Sequence, residues 1–280
     1  IHSFFELFPD SLGNFAVLGT FYIDQKQWSQ AIESYRKLLA DSTHMSGGNH
    51  RLSVIYERMG RIDSAIYYAE QSNILRPNHH HYISHLGLVY AMDGQLDKAI
   101  QQYERAIKLE PRFLKHYYDL ARTELLKNQY DEALDSFTRL YKKDSDYRWT
   151  LDMIGLIHTH RRQFRQAVFA YKKAIPVEAD NPQHYNGLAS AYMAWGKQNK
   201  AIQVLQQATA LKRQDDYSRI LLFLQLTKRE RPQEAKAQLD TLLVRIKNEE
   251  WPTPIIRFYA EEMPEEQVLQ AAVRDHPQRD

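Results

Sequence analysis

The chain has 280 residues, with 37 Lys and Arg side chains against 35 Asp and Glu, so its formal net charge is +2. This near balance argues against a dedicated nucleic-acid-binding surface. The sequence has no apolar run of about 18 residues, so no membrane span is expected in it. It also has no cysteine, which excludes disulfides and thiolate metal sites.

Three columns of residues recur every 34 positions along the chain. One column holds only alanine: Ala31, Ala65, Ala99, Ala133, Ala167 and Ala201. Twelve positions earlier stands a small residue, preceded each time by Leu or Ile; the small residues are Gly19, Ser53, Gly87, Ala121, Gly155 and Ala189. Two antiparallel helices pack closely only where their facing side chains are small. The period therefore indicates a helix-turn-helix repeat.

Turn and cap residues are predicted between the two helices of a repeat. The first helix is predicted to end at residue types that suit left-handed backbone: Gly60, Gly94, Asn128 and Gly196. The second helix is then predicted to begin with an N-cap side chain: Ser29, Asp63, Asp97 and Asp131.

The segment Leu86-Gly87…Tyr90…Gly94…Ala99…Tyr103…Ala106…Pro111 resembles a consensus tetratricopeptide repeat (TPR). The resemblance implies an all-α fold, a TPR helix-turn-helix solenoid forming a right-handed superhelix, with six full repeats plus degenerate terminal repeats. Residues 1–11 are then the second helix of a preceding partial repeat, 12–215 the six repeats, and 216–249 a degenerate seventh. Residues 250–280 are predicted to be a C-terminal helical segment that starts a further repeat or caps the array. Because the chain starts inside a repeat, we expect it to be a piece of a longer protein.

The C-terminal segment carries a second resemblance. Trp251-Pro252-Thr253-Pro254 is followed by Ile255-Ile256-Arg257-Phe258-Tyr259, a Glu-rich stretch and Val268-Leu269. With about 216–250 ahead of it, this arrangement resembles the bacterial outer-membrane TPR lipoprotein new lipoprotein I. It implies an adaptor for cell-envelope enzymes such as peptidoglycan hydrolases and proteases, located in the periplasm or anchored to the outer membrane. The alternative is that the aromatic residues only close the end of the solenoid.

Partner binding is predicted on the first helices of the repeats. In TPR superhelices these helices line a concave groove through their second, fifth, ninth, twelfth and thirteenth positions, and the resemblance implies the same here. The candidate peptide-binding residues at these positions are His81, Met92, Lys115, Tyr118, Arg122, Leu126, Trp149, Asp152 and Met193. Their mixture of apolar and charged side chains suits an amphipathic helix or an extended peptide. Trp149 is the chief anchor candidate because Trp is enriched at binding hot spots; the alternative is that it stacks on the preceding repeat near Tyr118.

Residues for catalysis or metal binding form no recognisable pattern, so no enzymatic activity, cofactor or metal is predicted. His81 and His85 have the i, i+4 spacing compatible with a metal. We nevertheless interpret His79-His80-His81 as a solvated loop and His81 and His85 as surface residues. His158 lies in a column held mostly by tyrosine and is interpreted as a packed core histidine. The Lys, Asn and Arg set with which some TPR domains clamp chaperone tails is absent, which disfavours a cochaperone.

Three functional hypotheses remain open. The first is a non-enzymatic scaffold or adaptor that binds a peptide or helix of partner proteins, possibly organised in the bacterial cell envelope. The second is the TPR arm of a larger enzyme or of an exopolysaccharide export protein. The third is a cytosolic regulatory module. In each case the partners are other proteins, not nucleic acid, and a homodimer is a further alternative.

Overall fold

The structure, a computed structural model, describes residues 12–147, 149–211 and 216–245. Within these ranges every regular element is an α-helix, which confirms the all-helical prediction. The helices are α1 (Leu12–Asp24), α2 (Trp28–Leu38), α3 (Met45–Arg58), α4 (Ile62–Leu75), α5 (His80–Met92), α6 (Leu96–Leu109), α7 (Leu114–Leu126), α8 (Tyr130–Lys143), α9 (Thr150–His160), α10 (Phe164–Ala174), α11 (Pro182–Ala194), α12 (Gln198–Thr209), α13 (Asp216–Lys228) and α14 (Pro232–Arg245). None of these helices is long and apolar enough to span a membrane.

The chain divides into two compact units, residues 1–147 (unit 1) and 148–280 (unit 2). Within each unit the described helices pack in consecutive pairs, α1 on α2 and so on, and each pair packs on the next. First helices of adjacent repeats also touch, as α9 and α11 do in unit 2. The predicted helices at 1–11 and 250–280 lie outside the described residues, as does the lipoprotein-like segment from Trp251 onward.

The reversal between the two helices of each repeat uses left-handed backbone at strictly periodic positions. Residues with positive φ occur every 34 positions: Lys26, Gly60, Gly94, Asn128, Arg162, Gly196 and Glu230. The prediction for Gly60, Gly94, Asn128 and Gly196 is confirmed. In the second repeat, the amide of Arg61 then bonds to the carbonyl of Tyr56 at 2.9 Å, which closes the helix end. The other three positions keep the same turn without a favoured residue type.

The N-cap prediction is wrong. Helices α2, α4, α6 and α8 begin at the residue before Ser29, Asp63, Asp97 and Asp131, so these side chains lie inside the first turn. The residues at the N-caps are Gln27, Arg61, Gln95 and Gln129, and none makes a side-chain capping bond. Only one residue separates each left-handed position from the next helix, so the turn sets the helix start. The aspartates instead place negative charge near the positive end of the helix dipole.

The small column of the sequence faces large aromatic rings. A Cβ added to Gly155 would lie 2.8 Å from the Tyr171 ring, and one added to Gly187, in the next repeat, would lie 2.2 Å from it. A Cβ on Gly19 would likewise lie 2.5 Å from the Tyr35 ring. Glycine at these positions therefore provides the space that the tyrosine ring occupies.

Replacing Ala133 with leucine is expected to lower the free energy of unfolding by about 1–3 kcal/mol, because extra carbons overpack a filled core. Ala133 is fully buried, as are the equivalent Ala99, Ala167 and Ala201, which confirms their predicted burial. Urea unfolding followed by circular dichroism measures the change. A matched Lys142→Leu change at an exposed site on the same helix should leave stability nearly unchanged, and equal stability of the two variants would contradict the packing argument.

Candidate functional site

A cavity of about 590 Å³ opens on the first helices of unit 2 and is called the unit-2 cavity. It is lined by Trp149, Leu156, Tyr171, Asn181, Pro182, Gln183, Asn186, Gly187, Ser190 and Tyr217. Trp149, Gln183 and Tyr217 occupy the second position of three successive repeats. Asn186 stands at a fifth position, and Leu156 and Ser190 at ninth positions. The lining thus comes from the same helix face in each repeat, because residues three and four positions apart share a face.

Polar side chains of the unit-2 cavity are oriented by their own hydrogen bonds. The Asn181 side chain accepts a bond of 3.1 Å from the amide of Gln183 and so caps α11. The hydroxyl of Ser218 donates to the Asn186 side-chain oxygen at 2.8 Å. This bond fixes the orientation of the Asn186 side-chain amide beside the cavity.

Asp152 and Trp149 hold different places in unit 2. Asp152 on α9 is buried, and its carboxylate lies 2.8 Å from Nδ1 of the buried His184 on α11. It therefore links these two helices and contributes little exposed surface. Trp149 is half-buried, with its ring centroid 6.2 Å from that of His184. Its backbone is left-handed, with φ of 68°, at the N-cap of α9. Left-handed backbone costs a non-glycine residue about 1–2 kcal/mol, so neighbouring structure must hold this geometry.

The remaining predicted site residues on α7 lie in unit 1. The Arg122 guanidinium carbon is 5.8 Å from the Tyr118 ring centroid, and that ring is 5.9 Å from the ring of Phe137. Lys115 pairs with Asp119, and Leu126 is 63% exposed although it is a leucine. Elsewhere, His81 and Met92 are exposed in unit 1, whereas Met193 is partly buried against the unit-2 core.

The histidines of unit 1 differ from the sequence interpretation. The His85 side chain is only 9% exposed, and its Nε2 lies 2.8 Å from the Ser53 hydroxyl, so its interpretation as a surface residue is wrong. Nδ1 of His80 lies 2.9 Å from Nε2 of the fully buried His116, so His80 does not belong to a solvated loop. Only His81 is exposed as expected. Side chains 30 or more positions apart in sequence make these contacts, so local pattern could not reveal them.

Burial controls the ionisation of these imidazoles. It lowers the pKa of His85 and of His116 to about 4 and that of His50 to about 3. Across the described residues, no group of three His, Cys, Asp or Glu side chains has an arrangement that could hold a metal ion. His158 is half-buried, and its Nδ1 lies 2.7 Å from the Gln163 side-chain oxygen, so it is less enclosed than the core position expected for it.

A second cavity, of about 480 Å³, lies on the first helices of unit 1 and is called the unit-1 cavity. It was not predicted from the sequence. Its lining is rich in cationic and hydroxyl side chains: Thr20, Tyr35, Thr43, His44, Ser46, His50, Arg51, Arg76, His79, His81 and Tyr82. The Tyr82 ring lies between two imidazoles, 4.6 Å from His50 and 3.9 Å from His79. The frequency of histidine in this part of the sequence was the available signal for the cavity. Only the fold, however, brings together lining residues from three repeats.

Glu124→Gln is expected to raise the free energy of unfolding by about 1–3 kcal/mol more at pH 8 than at pH 5. Burial, opposed by a hydrogen bond with Ser136 and reinforced by Glu132 and Glu104, raises the pKa of Glu124 to about 7 from 4.5. Since the folded-state value is the higher one, the stability linked to this proton is complete below about pH 4.5 and lost as pH rises through about 7. Glutamine cannot ionise and removes that loss.

Unfolding in urea at pH 5 and at pH 8 tests this prediction. The control is Glu33→Gln, an exposed carboxylate on α2 that is not among the charges acting on Glu124, and its change should have little effect at either pH. An identical stability difference for Glu124→Gln at the two pH values would contradict the assignment. Tyr90 stands at the equivalent position of the preceding repeat, and its hydroxyl donates a bond of 2.5 Å to the Glu70 carboxylate.

Comparisons with known proteins give one consistent result. Residues 85–148 match one model of the tetratricopeptide repeat and residues 183–215 match another. A tetratricopeptide repeat protein from Parabacteroides merdae is similar in structure, with a TM-score of 0.66, 12% identity, and coverage of 90% of this chain and 98% of that one. MamA from Desulfovibrio magneticus has a TM-score of 0.55 and 17% identity, covering 60% of this chain and 95% of that one.

A third similar structure is a chain of the APC/C hetero-tetramer Cut9–Hcn1, with a TM-score of 0.54, 17% identity, and coverage of 77% of this chain and 45% of that one. A sequence search of curated proteins finds no match, so the resemblance to an outer-membrane lipoprotein stays a prediction. At these identities the structural likeness shows the shared fold. With repeat models matching part of each unit, the chain contains tetratricopeptide repeats and has the fold of proteins built from them.

Proposed function

We propose that the chain is a non-enzymatic scaffold that binds a peptide or helix of a partner protein on the first helices of its repeats. The observation that carries this proposal is the unit-2 cavity, which combines two aromatic rings with side-chain amides on one face of successive helices. Tetratricopeptide repeats commonly bind other proteins, and one structural neighbour was solved within a hetero-tetramer. Both facts support a role in assembly.

The chemistry of the unit-2 cavity suits a peptide. Trp149 is half-buried and Tyr217 is 57% exposed, so both rings can be desolvated further by a ligand. Aromatic side chains supply large contact area at low entropic cost. Gln183 offers amide donors and an acceptor that match peptide backbone groups. A volume of about 590 Å³ lies within the range of ligand pockets and suits a few peptide side chains.

The other predicted site residues extend the proposed surface within each unit. In unit 1, the exposed Leu126 and the Arg122–Tyr118 pair supply an apolar contact beside a cation. His81, Met92 and Lys115 add exposed side chains on neighbouring first helices. In unit 2, Met193 offers a partly buried thioether. An adaptor role in the cell envelope is proposed only from the resemblance of the segment that begins at Trp251.

A photo-crosslinking amino acid at Gln183 tests the proposal in a native extract. Gln183 is exposed and lines the unit-2 cavity. Mass spectrometry should identify one or a few recurring proteins crosslinked there, and none of them with the crosslinker at Lys172, an exposed residue on the second helix α10. Equal capture at both sites, or crosslinks only to a second copy of this chain, would contradict binding of a partner at this cavity.

A further inference from the structure

The described residues that line the unit-1 cavity carry cationic and hydrogen-bond-donating groups and include neither Asp nor Glu. Six of them are basic: His44, His50, Arg51, Arg76, His79 and His81. Three repeats contribute, since Thr20 comes from α1, His50 from α3 and His81 from α5. A cavity with this lining favours anions, because the two arginines stay charged and the imidazoles and hydroxyls can donate hydrogen bonds.

The two arginines of the cavity are available to a ligand. Arg51 and Arg76 are exposed, and neither forms an ion pair with another described residue. The Asp41 carboxylate is engaged by two lining residues, the Thr43 hydroxyl at 2.9 Å and the His44 ring at 2.7 Å. Arginine binds carboxylates through paired N–H donors.

Two imidazoles of the cavity have unsatisfied atoms. Nδ1 of His50 and Nδ1 of His79 are buried without a hydrogen-bond partner among the described residues. After burial, the pKa of His50 is held down by repulsion from the basic side chains of His85, Arg51, His79 and His81. The Glu57 carboxylate lies 3.9 Å from Nδ1 of His85. A bound anion would supply both the missing partner and the missing counter-charge.

The floor of the cavity leaves space for a ligand. Helix α3 starts at Met45, so Ser46 and Gly47 lie in its first turn, where the helix dipole is positive. A Cβ on Gly47 would meet only the Tyr82 hydroxyl, at 3.8 Å. This open position contrasts with Gly48, whose added Cβ would lie 3.0 Å from Leu39. Substitution at Gly47 can therefore fill the cavity without disturbing the helix packing.

We propose that the unit-1 cavity binds the acidic side chains of a partner segment, with carboxylates held by Arg51 and Arg76 and hydrogen-bonded to His50 and His79. The proposal rests on the proposed function, because it names the kind of peptide that the scaffold accepts. A neutral imidazole can donate an N–H to a carboxylate, so the histidines take part without being charged, and the two arginines supply the positive charge that favours an acidic segment.

Fluorescence anisotropy of the full chain with defined peptides tests this site. The probe is a labelled, C-terminally amidated peptide of alternating Glu and Ala, and the reference is the same peptide with Gln in place of Glu. We expect the Glu peptide to bind at least about tenfold more tightly at pH 6.5 and low salt, as charge-assisted hydrogen bonds require. Equal binding of the two peptides would overturn the proposal.

Variants assign the binding to the cavity. Arg51→Gln combined with Arg76→Gln should lower the affinity for the Glu peptide at least about tenfold. Lys142→Gln with Arg165→Gln removes the same charge from exposed sites outside the cavity and should change it little. Gly47→Leu leaves the charge intact and should still abolish binding by filling the space. Unchanged affinity in both cavity variants would overturn the assignment.

Two further outcomes separate this site from the general function. Binding of the Gln peptide only when its C-terminus is a free carboxylate would place a chain terminus in the cavity and overturn the assignment to side chains. If Gln183 crosslinks a partner but the Glu peptide does not bind, this inference fails and the scaffold function stands. If the Glu peptide binds as described while no partner crosslinks at Gln183, the cavity assignment stands and the unit-2 binding proposal fails.

Discussion

Tyr171→Ala is expected to lower the free energy of unfolding by about 3–5 kcal/mol, the range for removing a large buried aromatic ring. Tyr171 is 5% exposed, and its ring fills the space left by Gly155 in its own repeat and Gly187 in the next. Neither glycine has a side chain that could relax into the hole. Urea unfolding of the full chain measures the loss, and Tyr171→Phe, which keeps the ring, should lose much less.

A double-mutant cycle distinguishes size matching from general sensitivity of the core. Gly155→Ala alone should destabilise by about 1–3 kcal/mol, because the new methyl meets the Tyr171 ring. In a Tyr171→Leu background the same change should cost less, with a coupling of about 0.5–3 kcal/mol. The sixth repeat supplies the precedent, since Ala189 and Leu205 stand at the equivalent positions and are both fully buried. Strictly additive losses would show that the two sites do not compete for space.

Trp149→Ala is expected to weaken binding of the crosslinked partner by about 1–4 kcal/mol, as truncation of a tryptophan hot spot does. Its half-buried ring lines the unit-2 cavity and is the largest side chain there. Isothermal titration with the partner identified through Gln183 gives the change.

A second variant keeps loss of binding distinct from loss of folding. Trp149 has a φ of 68°, a conformation that glycine adopts readily and alanine does not. Trp149→Gly should therefore be more stable than Trp149→Ala, while both lack the ring and bind equally weakly. Full binding by a folded Trp149→Gly protein would show that the partner uses another surface.

The fold was predictable from sequence because the constraint repeats. Small residues and helix-ending glycines return with the same period, and each occurrence supports the others. Helix starts were less predictable: Asp63 has the chemistry of an N-cap, but the left-handed Gly60 fixes the start two residues too early for it. The periodic turn also continues through Arg162, where residue type gives no sign of it.

The candidate sites were predictable only in part. The period identifies which positions share a helix face, and so it selected Trp149 together with other first-helix residues. The period does not reveal how deeply each side chain is buried, because side chains from other repeats determine that burial. Asp152 was expected on the binding face but is buried against His184, and His85 was expected on the surface but bonds to Ser53. Cavities form where a residue such as Gly47 leaves space, and such absences give no local pattern.

The ring of Tyr171 spans a boundary between repeats, and this limits how the array can be rearranged. At the position of Gly187 the other repeats carry Val17, Arg51, His85, Asp119, Met153 and Leu221. A duplication, deletion or shuffling of whole 34-residue modules would therefore preserve the backbone geometry yet place a Cβ within 2.2 Å of that ring wherever the sixth repeat no longer follows the fifth. The modules have a common architecture but a fixed order of neighbours.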